Sequence, residues 1–185
     1  MSSAVAPRIG ATLTITICNA AARATSDVGD FIEEAFATAR VADGHERDLV
    51  EQVRTSERYV EQLELAAVDG EELVGYALAS VTSITDGSLT WEALYLGPIC
   101  TRVDHRDAGL GSLLVRELLA RAQRLGYGSM FLAGDTAYYP RFGFKPASTW
   151  RIKCQYDLPP ELLDNIMGIE ILPGALNGVS GVVTF

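Results

Sequence analysis

Residues 94–125 read LYLGPICTRVDHRDAGLGSLLVRELLARAQRL, and this stretch decides what kind of fold the chain can take. A mostly apolar strand ends near Thr101, a charged loop follows, and Gly109-Leu110-Gly111 then opens an amphipathic helix. Strand, glycine turn and helix start together make an anion site. The N–H groups of a first helical turn have no partner within the helix, and the macrodipole adds partial positive charge there. Glycine lets a diphosphate approach the main chain with no Cβ in the way. Arg106 adds a full charge and up to five donors.

Two other anion loops are excluded. A Walker loop needs Gly-Lys-Ser/Thr, which this stretch lacks. A dinucleotide fingerprint needs a third glycine, where this chain has Leu114. What remains is Arg106-x-x-Gly109-x-Gly111, directly after a strand and opening a helix. That pattern resembles the acetyl-CoA pyrophosphate loop of the GNAT (N-acetyltransferase) superfamily, Gln/Arg-x-x-Gly-x-Gly/Ala. Downstream, Ala137-Tyr138-Tyr139-Pro140-Arg141-Phe142-Gly143-Phe144 is similar to the family's second signature, a Tyr four residues before Gly-Phe. The two signatures stand in the family's order, and the resemblance spans residues 12–185.

The resemblance implies an α+β fold. Its sheet is central, mixed and mostly antiparallel, flanked by helices. A βαβ unit places strands four and five parallel and splayed apart, to admit a pantetheine arm. Residues 1–11 read as a loose leader and residues 12–185 as one N-acetyltransferase domain.

Composition bounds the partners. A chain of 185 residues can bury a core as one domain. With 48% hydrophobic and 21% charged residues it reads as a globular protein. The net charge of −9 argues against a nucleic-acid surface and suits a cationic amine acceptor. Coenzyme A is itself an anion, so its site should be a local basic exception, supplied by Arg102, His105 and Arg106. No apolar run reaches the roughly 20 residues of a membrane span. Arg8, Ile9–Cys18 and Ala20-Ala21-Ala22 have the outline of a signal peptide. Residues 12–17, however, alternate polar and apolar, which reads as a strand. Cys18, Cys100 and Cys154 are odd in number and far apart, which fits a reducing cytoplasm. A homodimer stays open.

Periodicity orders the chain. After the strand at 12–17, Ser26 or Asp27 is placed to cap a helix carrying Val28, Phe31, Ile32, Phe36 and Ala39 on one face. A second helix is expected over 46–55, with Leu49 and Val53 inward. Strands at 63–68, 73–84 and 89–101 are joined by the turn signals Asp69-Gly70 and Asp86-Gly87, which makes an antiparallel meander. The helix after Gly111 carries Leu114, Leu118, Ala122 and Leu125 on one stripe, and Gly126 ends it. Residues 129–133 form the next strand, parallel to 89–101. Gly134-Asp135 should open a short helix through Tyr138 and Tyr139. A strand begins at Phe144, a helical turn covers 161–165, a strand covers 167–172, and 179–185 is a final edge strand.

The resemblance implies a division of labour. Ile99, Cys100 and Thr101 line the pantetheine. Arg106, Asp107, Ala108, Gly109, Leu110, Gly111 and Ser112 wrap the pyrophosphate. Relatives often have glycine where this chain has Asp107, so Asp107 should offer only its N–H. Tyr139 matches the family's general acid by its spacing to Gly143, and Tyr138 is its competitor. Most tyrosines in such a setting simply pack, here against Phe142 and Phe144. A phenol within reach of sulfur can protonate the leaving thiolate. Glu92 is the candidate base, acting through water, with Glu33, Glu34 and Asp135 as alternatives. An N–H near Ile99 or Cys100 would stabilise the oxyanion. Cys100 could carry the acetyl group covalently, but no adjacent His or Lys activates it. His45 and His105 are isolated, so no metal is expected. The function expected is acetyl transfer from acetyl-CoA, the co-substrate, to a primary amine bound by residues 31–58 and 156–174. A non-catalytic acyl-CoA-binding module and a transferase of longer acyl chains are the rivals.

Overall fold

The structure, a computed structural model, describes residues 14–39 and 44–185. The expected leader and Thr12-Leu13 of the first expected strand lie outside them. Nine strands and three α-helices follow in the described residues: β1 Ile15–Asn19, α1 Thr25–Phe36, α2 Glu46–Arg54, β2 Glu64–Asp69, β3 Glu72–Asp86, β4 Leu89–Thr101, α3 Leu110–Arg124, β5 Ser129–Ala133, β6 Lys145–Pro146, β7 Ile152–Cys154, β8 Ile166–Glu170 and β9 Gly181–Val183. They make one mixed sheet in the order β1-β2-β3-β4-β5-β8-β6. All the pairs on that path are antiparallel except β4 with β5. This is the mixed α+β architecture that the motifs imply.

Local chemistry accounts for most of these elements. Gly70 and Gly87 take φ of +63° and +60° at the two hairpin turns, where a side chain would be strained. The fifteen residues of β3 are buried over most of their length because strands flank β3 and helices cover both faces. Gly126 takes φ of +87° just past α3.

Five expectations change. The helix α1 starts at Thr25 with Ala24 as its N-cap and no side-chain cap, so Ser26 and Asp27 lie inside its first turn. The Thr25 hydroxyl instead accepts a hydrogen bond from Arg54 at 2.9 Å. Leu125 falls beyond α3 and is 44% exposed, while Val115 joins the buried stripe. The tyrosine segment is a turn at 136–138 followed by a short helical turn, Tyr139–Phe142. The strand expected from Phe144 shrinks to two residues, since Ala147–Trp150 turns helical directly after β6. The last strand is not an edge. It lies between β3 and β7, antiparallel to the first and parallel to the second, and β7 itself went unforeseen.

Three apolar clusters fill the two faces. One lies under α3 and includes Leu65, Ala77, Leu94, Leu96, Leu114, Leu118 and Met130. On the opposite face, α1 and α2 cover Ala66, Tyr76 and Leu78 with Val28, Ile32, Val50 and Val53. Beside that second cluster, β7 and β9 cover Ile84, Ala93 and Phe131.

A buried ion pair pins the α1–α2 layer to the sheet. Glu64 of β2 is fully buried. Arg54, at the end of α2, approaches it at 2.6 Å, and the phenols of Tyr59 and Tyr76 each donate to it at 2.6 Å. The same guanidinium donates to the carbonyls of Ala20 and Arg23, which lead into α1. Burial first, then the Glu64 charge, pushes both phenols well above the ordinary tyrosine range.

Removing one partner of such a pair strands the other charge. Glu64→Gln should therefore cost about 3–5 kcal/mol in urea unfolding, and a loss below about 1 kcal/mol would refute the pinning role. The raised phenols add a pH signature. The folded state holds those protons more tightly than the unfolded chain. Stability should thus be level near neutral pH and decline as pH rises above about 10, and Tyr76→Phe should blunt that decline.

Candidate active site

Proline is confined to edges or bulges within a sheet, and Pro98 sits inside β4. The register shows why it is tolerated. Ala77 faces Ile99 and Ala79 faces Leu96, so Gly97 and Pro98 together oppose Leu78 alone. This bulge inserts one residue and reverses the alternation of the strand. Before it, Leu94 and Leu96 face α3; after it, Ile99 does. Cys100 is thereby turned toward α1 and α2. The bulge also ends the union with β5. The two strands pair only at Leu94 with Met130 and Tyr95 with Phe131. Beyond Tyr95 the sheet opens into a cleft, with residues 96–101 on one wall.

The loop at the mouth of that cleft leads into α3. Gly109 is the N-cap, at φ of +82°, and no side chain caps the helix. Bonding within the helix begins with the Leu113 N–H on the Gly109 carbonyl. The earlier N–H groups face outward, as an anion would require. The two glycines serve different ends. Gly109 is needed for its left-handed backbone and has open space around it. Gly111 has ordinary helical backbone, but a Cβ there would lie 3.0 Å from the Tyr138 hydroxyl. Asp107 takes φ of +58°. This explains why a glycine suits that position, and why the short polar side chain of Asp can stand in for it.

The expected basic patch is built differently. Arg102 pairs with Glu72 and Asp104, at 2.9 and 2.8 Å. His105 is buried with Nδ1 on Asp104 at 2.6 Å. Hydrogen bonds from Arg102 and then His105 pull the Asp104 carboxyl down to about 2. Arg106 donates to the carbonyls of Ala35 and Thr38 at the C-terminal end of α1, a favourable place for a cation. Side-chain cations near the first turns of α3 come instead from Arg116, which lies over the Phe142 ring, and Arg141, which lies over the Tyr138 ring. The sequence reading passed over both. Arg116 lies one helical turn after Ser112, and Arg141 lies within the second signature, so both were findable.

The two tyrosines diverge. Asp135 accepts the Ala137 N–H at 2.7 Å and sets the turn that carries them. Their rings meet edge to face at 5.1 Å. The Tyr138 hydroxyl goes to Ser112 Oγ at 3.3 Å, over the start of α3. Tyr139 packs into the cluster beneath α3 with Phe142 and Phe144. Burial first, then the charges of Tyr138, Tyr95 and Asp135, pushes its phenol well above the ordinary range.

The remaining candidates differ in exposure and in partners. Glu92 is exposed and precedes the cleft by three residues; its charge, after burial, raises the phenol of Tyr127. Glu33 pairs with Arg47 at 3.2 Å. Cys100 is half-buried, and desolvation pushes its thiol up to about 12, with the Arg106 charge opposing.

Comparison with known proteins gives a consistent result. Residues 30–144 match the model of the acetyltransferase (GNAT) family. The N-acetyltransferase YhbS of Escherichia coli is 31% identical over 124 residues, which are 66% of this chain and 71% of that protein. The N-acetyltransferase YjhQ of E. coli is 26% identical over 138 residues, 74% of this chain and 73% of that protein. Among solved structures, E. coli YhbS in complex with CoA superposes with a TM-score of 0.80 at 24% identity, covering 95% of this chain and 92% of that one. A GNAT family acetyltransferase from Brucella melitensis in complex with acetyl-CoA gives 0.73 at 22% identity, covering 94% and 96%. With more than half of its length matched by the family model, this chain belongs to the GNAT acetyltransferase family and is an acyltransferase.

Proposed function

We propose that the protein transfers the acetyl group of acetyl-CoA directly to a primary amine. One observation supports this reading: β4 and β5 stop pairing at Tyr95, the start of α3 is uncapped, and the part-buried phenol of Tyr139, raised above the ordinary range, packs in the cluster beneath that helix. The similarity to proteins solved with CoA and with acetyl-CoA supports the choice of donor.

The residues divide the work as follows. N–H groups from Arg106 to Ser112, with the α3 dipole, hold the pyrophosphate. The wall of Ile99, Cys100 and Thr101 lines the pantetheine, and an N–H on that wall faces the carbonyl oxygen as negative charge develops. The amine nitrogen attacks the thioester carbon, the C–S bond breaks, and the phenol proton of Tyr139 passes to the departing thiolate. Glu92 takes the acceptor's proton by way of ordered water. The phenolate then regains a proton from solvent.

The cofactor loop is tested by calorimetry. Gly111→Asp should abolish acetyl-CoA binding, because its side chain meets the Tyr138 hydroxyl and its charge repels phosphate. Asp107→Gly should bind more tightly and gain about 1 kcal/mol of stability from relief of left-handed backbone. Unchanged affinity in a folded Gly111→Asp protein would sink the loop assignment.

Tyr139→Phe should lower kcat by about 100- to 10,000-fold with little change in the KM for acetyl-CoA, and Tyr138→Phe should be far milder. A donor with a more acidic thiol should recover much of the deficit. Because burial raises the Tyr139 phenol, it keeps its proton through the neutral range. The rate should not fall on its account below about pH 10. The role passes to Tyr138 if that variant proves the crippled one.

Cys100→Ala should retain most activity, since a thiol held near 12 is not a nucleophile at neutral pH. Mass spectrometry showing a stable acetyl adduct on Cys100, with an inactive but folded variant, would overturn direct transfer.

A further inference from the structure

A glycine serves either a left-handed backbone or a close approach that a side chain would block. Gly109 is the first case. Gly134, the residue that follows β5, is the second. It is not among the glycines of positive φ, yet a Cβ built on it would lie 2.4 Å from Cε2 and 2.8 Å from Cδ2 of Tyr139. Carbon atoms in ordinary contact sit about 3.5–4.0 Å apart. The Tyr139 ring therefore rests on the bare Cα of Gly134, closer than any residue with a side chain would allow.

The surroundings hold both sides of that contact. β5 last pairs with β4 at Phe131, and from Leu132 onward it has β8 alone beside it. Asn165, at the entrance to β8, extends this pairing by one residue. The Gly134 N–H donates to the Asn165 carbonyl at 2.9 Å. The Asn165 side-chain amide donates to the Gly134 carbonyl at 2.9 Å. One half-buried residue thus engages both main-chain groups of Gly134. Asp135 then sets the turn, its carbonyl accepting the N–H groups of Tyr138 and Tyr139 at 3.0 and 3.2 Å. The Tyr139 ring is flanked elsewhere by Tyr138 at 5.1 Å and Phe144 at 5.8 Å, both edge to face. Neither the glycine nor the ring has free room to yield.

We propose that Gly134 and Asn165 are positioning residues for acyl transfer: Gly134 seats the Tyr139 ring by the room it leaves, and Asn165 holds that seat in place. The inference rests on the reading of Tyr139 as the proton donor. A donor must come within hydrogen-bond reach of sulfur, and a misplacement on the order of 1 Å can lower a rate by as much as about 100-fold. A methyl group on Gly134 forces a shift of about that size, because the 2.4 Å separation must open to ordinary contact. Removing the Asn165 amide loosens the seat without adding an atom, and it leaves the Gly134 carbonyl without its donor.

The test is thiol release from acetyl-CoA, with phenethylamine, spermidine and glycinamide as acceptor amines. Gly134→Ala should lower kcat by about tenfold or more, with the KM for acetyl-CoA within about twofold. Asn165→Ala should lower kcat by about threefold or more, and Asn165→Asp, which has the same shape but no donor, should match it. The deciding measurement is the double variant. If both residues act through the phenol, neither substitution should lower kcat further once Tyr139 is replaced by Phe. Losses that persist undiminished in the Tyr139→Phe background overturn the positioning role, and so does full kcat in folded Gly134→Ala and Asn165→Ala. If Gly134→Ala does not fold, the two Asn165 variants decide, since neither places an atom against the ring. Near-normal kcat in Tyr139→Phe overturns the proton-donor reading and this inference together. Wild type that releases no thiol with any of the three amines overturns the transfer reading itself.

Discussion

The bulge at Gly97-Pro98 is the constraint on which the site depends. A regular β4 would continue its ladder with β5 along the whole of Ser129–Ala133. It would also keep one parity from Leu89 to Thr101, sending Cys100 into the layer beneath α3. One extra residue against Leu78 breaks both regularities. The parallel pairing stops at two residue pairs, while β4 goes on pairing with β3 as far as Thr101. A cleft in a sheet leaves main-chain N–H and C=O groups without a strand partner, which is costly unless something else meets them. An extended molecule with its own amide groups, such as pantetheine, can meet that need.

Anion recognition at the mouth of the cleft is mostly a property of the main chain. The protein is acidic, with a net charge of −9, and the three basic side chains nearest the loop are already engaged. Arg106 is the instructive case. Its guanidinium joins the cofactor loop to the end of α1, so the loop's shape and the position of α1 are set together. What is left to face a diphosphate is the uncapped first turn of α3, its dipole and the left-handed residues before it, with Arg116 and Arg141 held nearby over aromatic rings.

The opposite face has its own logic. Arg54, Glu64, Tyr59 and Tyr76 fix α1 and α2 over the first strands of the sheet. The β7–β9 pair is fixed over the far end of β3. Between them lie Ser80 and Thr82, both buried, with Tyr95 opposite Ser80 on the next strand. A polar network fully buried and fully paired contributes little net stability over an apolar one, but it specifies one arrangement. Here the arrangement it specifies is the seating of α1 and α2 on the sheet.

The local patterns were legible in the chain itself. The turns at Gly70 and Gly87, the strands Leu89–Thr101 and Ser129–Ala133 and the helix opened by Gly109 follow from period and glycine placement, which act over a few residues. The two signatures carried the family and the fold for the same reason: each encodes a short-range backbone need. Long-range choices were not legible. The parity switch of β4 could have been suspected from Pro98, but its effect depends on what packs above Leu96 and Ile99. The bond of Arg106 to α1 spans about seventy residues of sequence, and that of Arg54 to Glu64 joins a helix end to a strand start. The turn before Tyr139 sent one phenol to Ser112 and the other into the core, a division that adjacent identical residues cannot announce. Sequence determined which backbone shapes were allowed, because those shapes are decided by neighbours. Only the tertiary structure decided which side chains were engaged and which were left to face the cleft, because that depends on groups brought together by the fold.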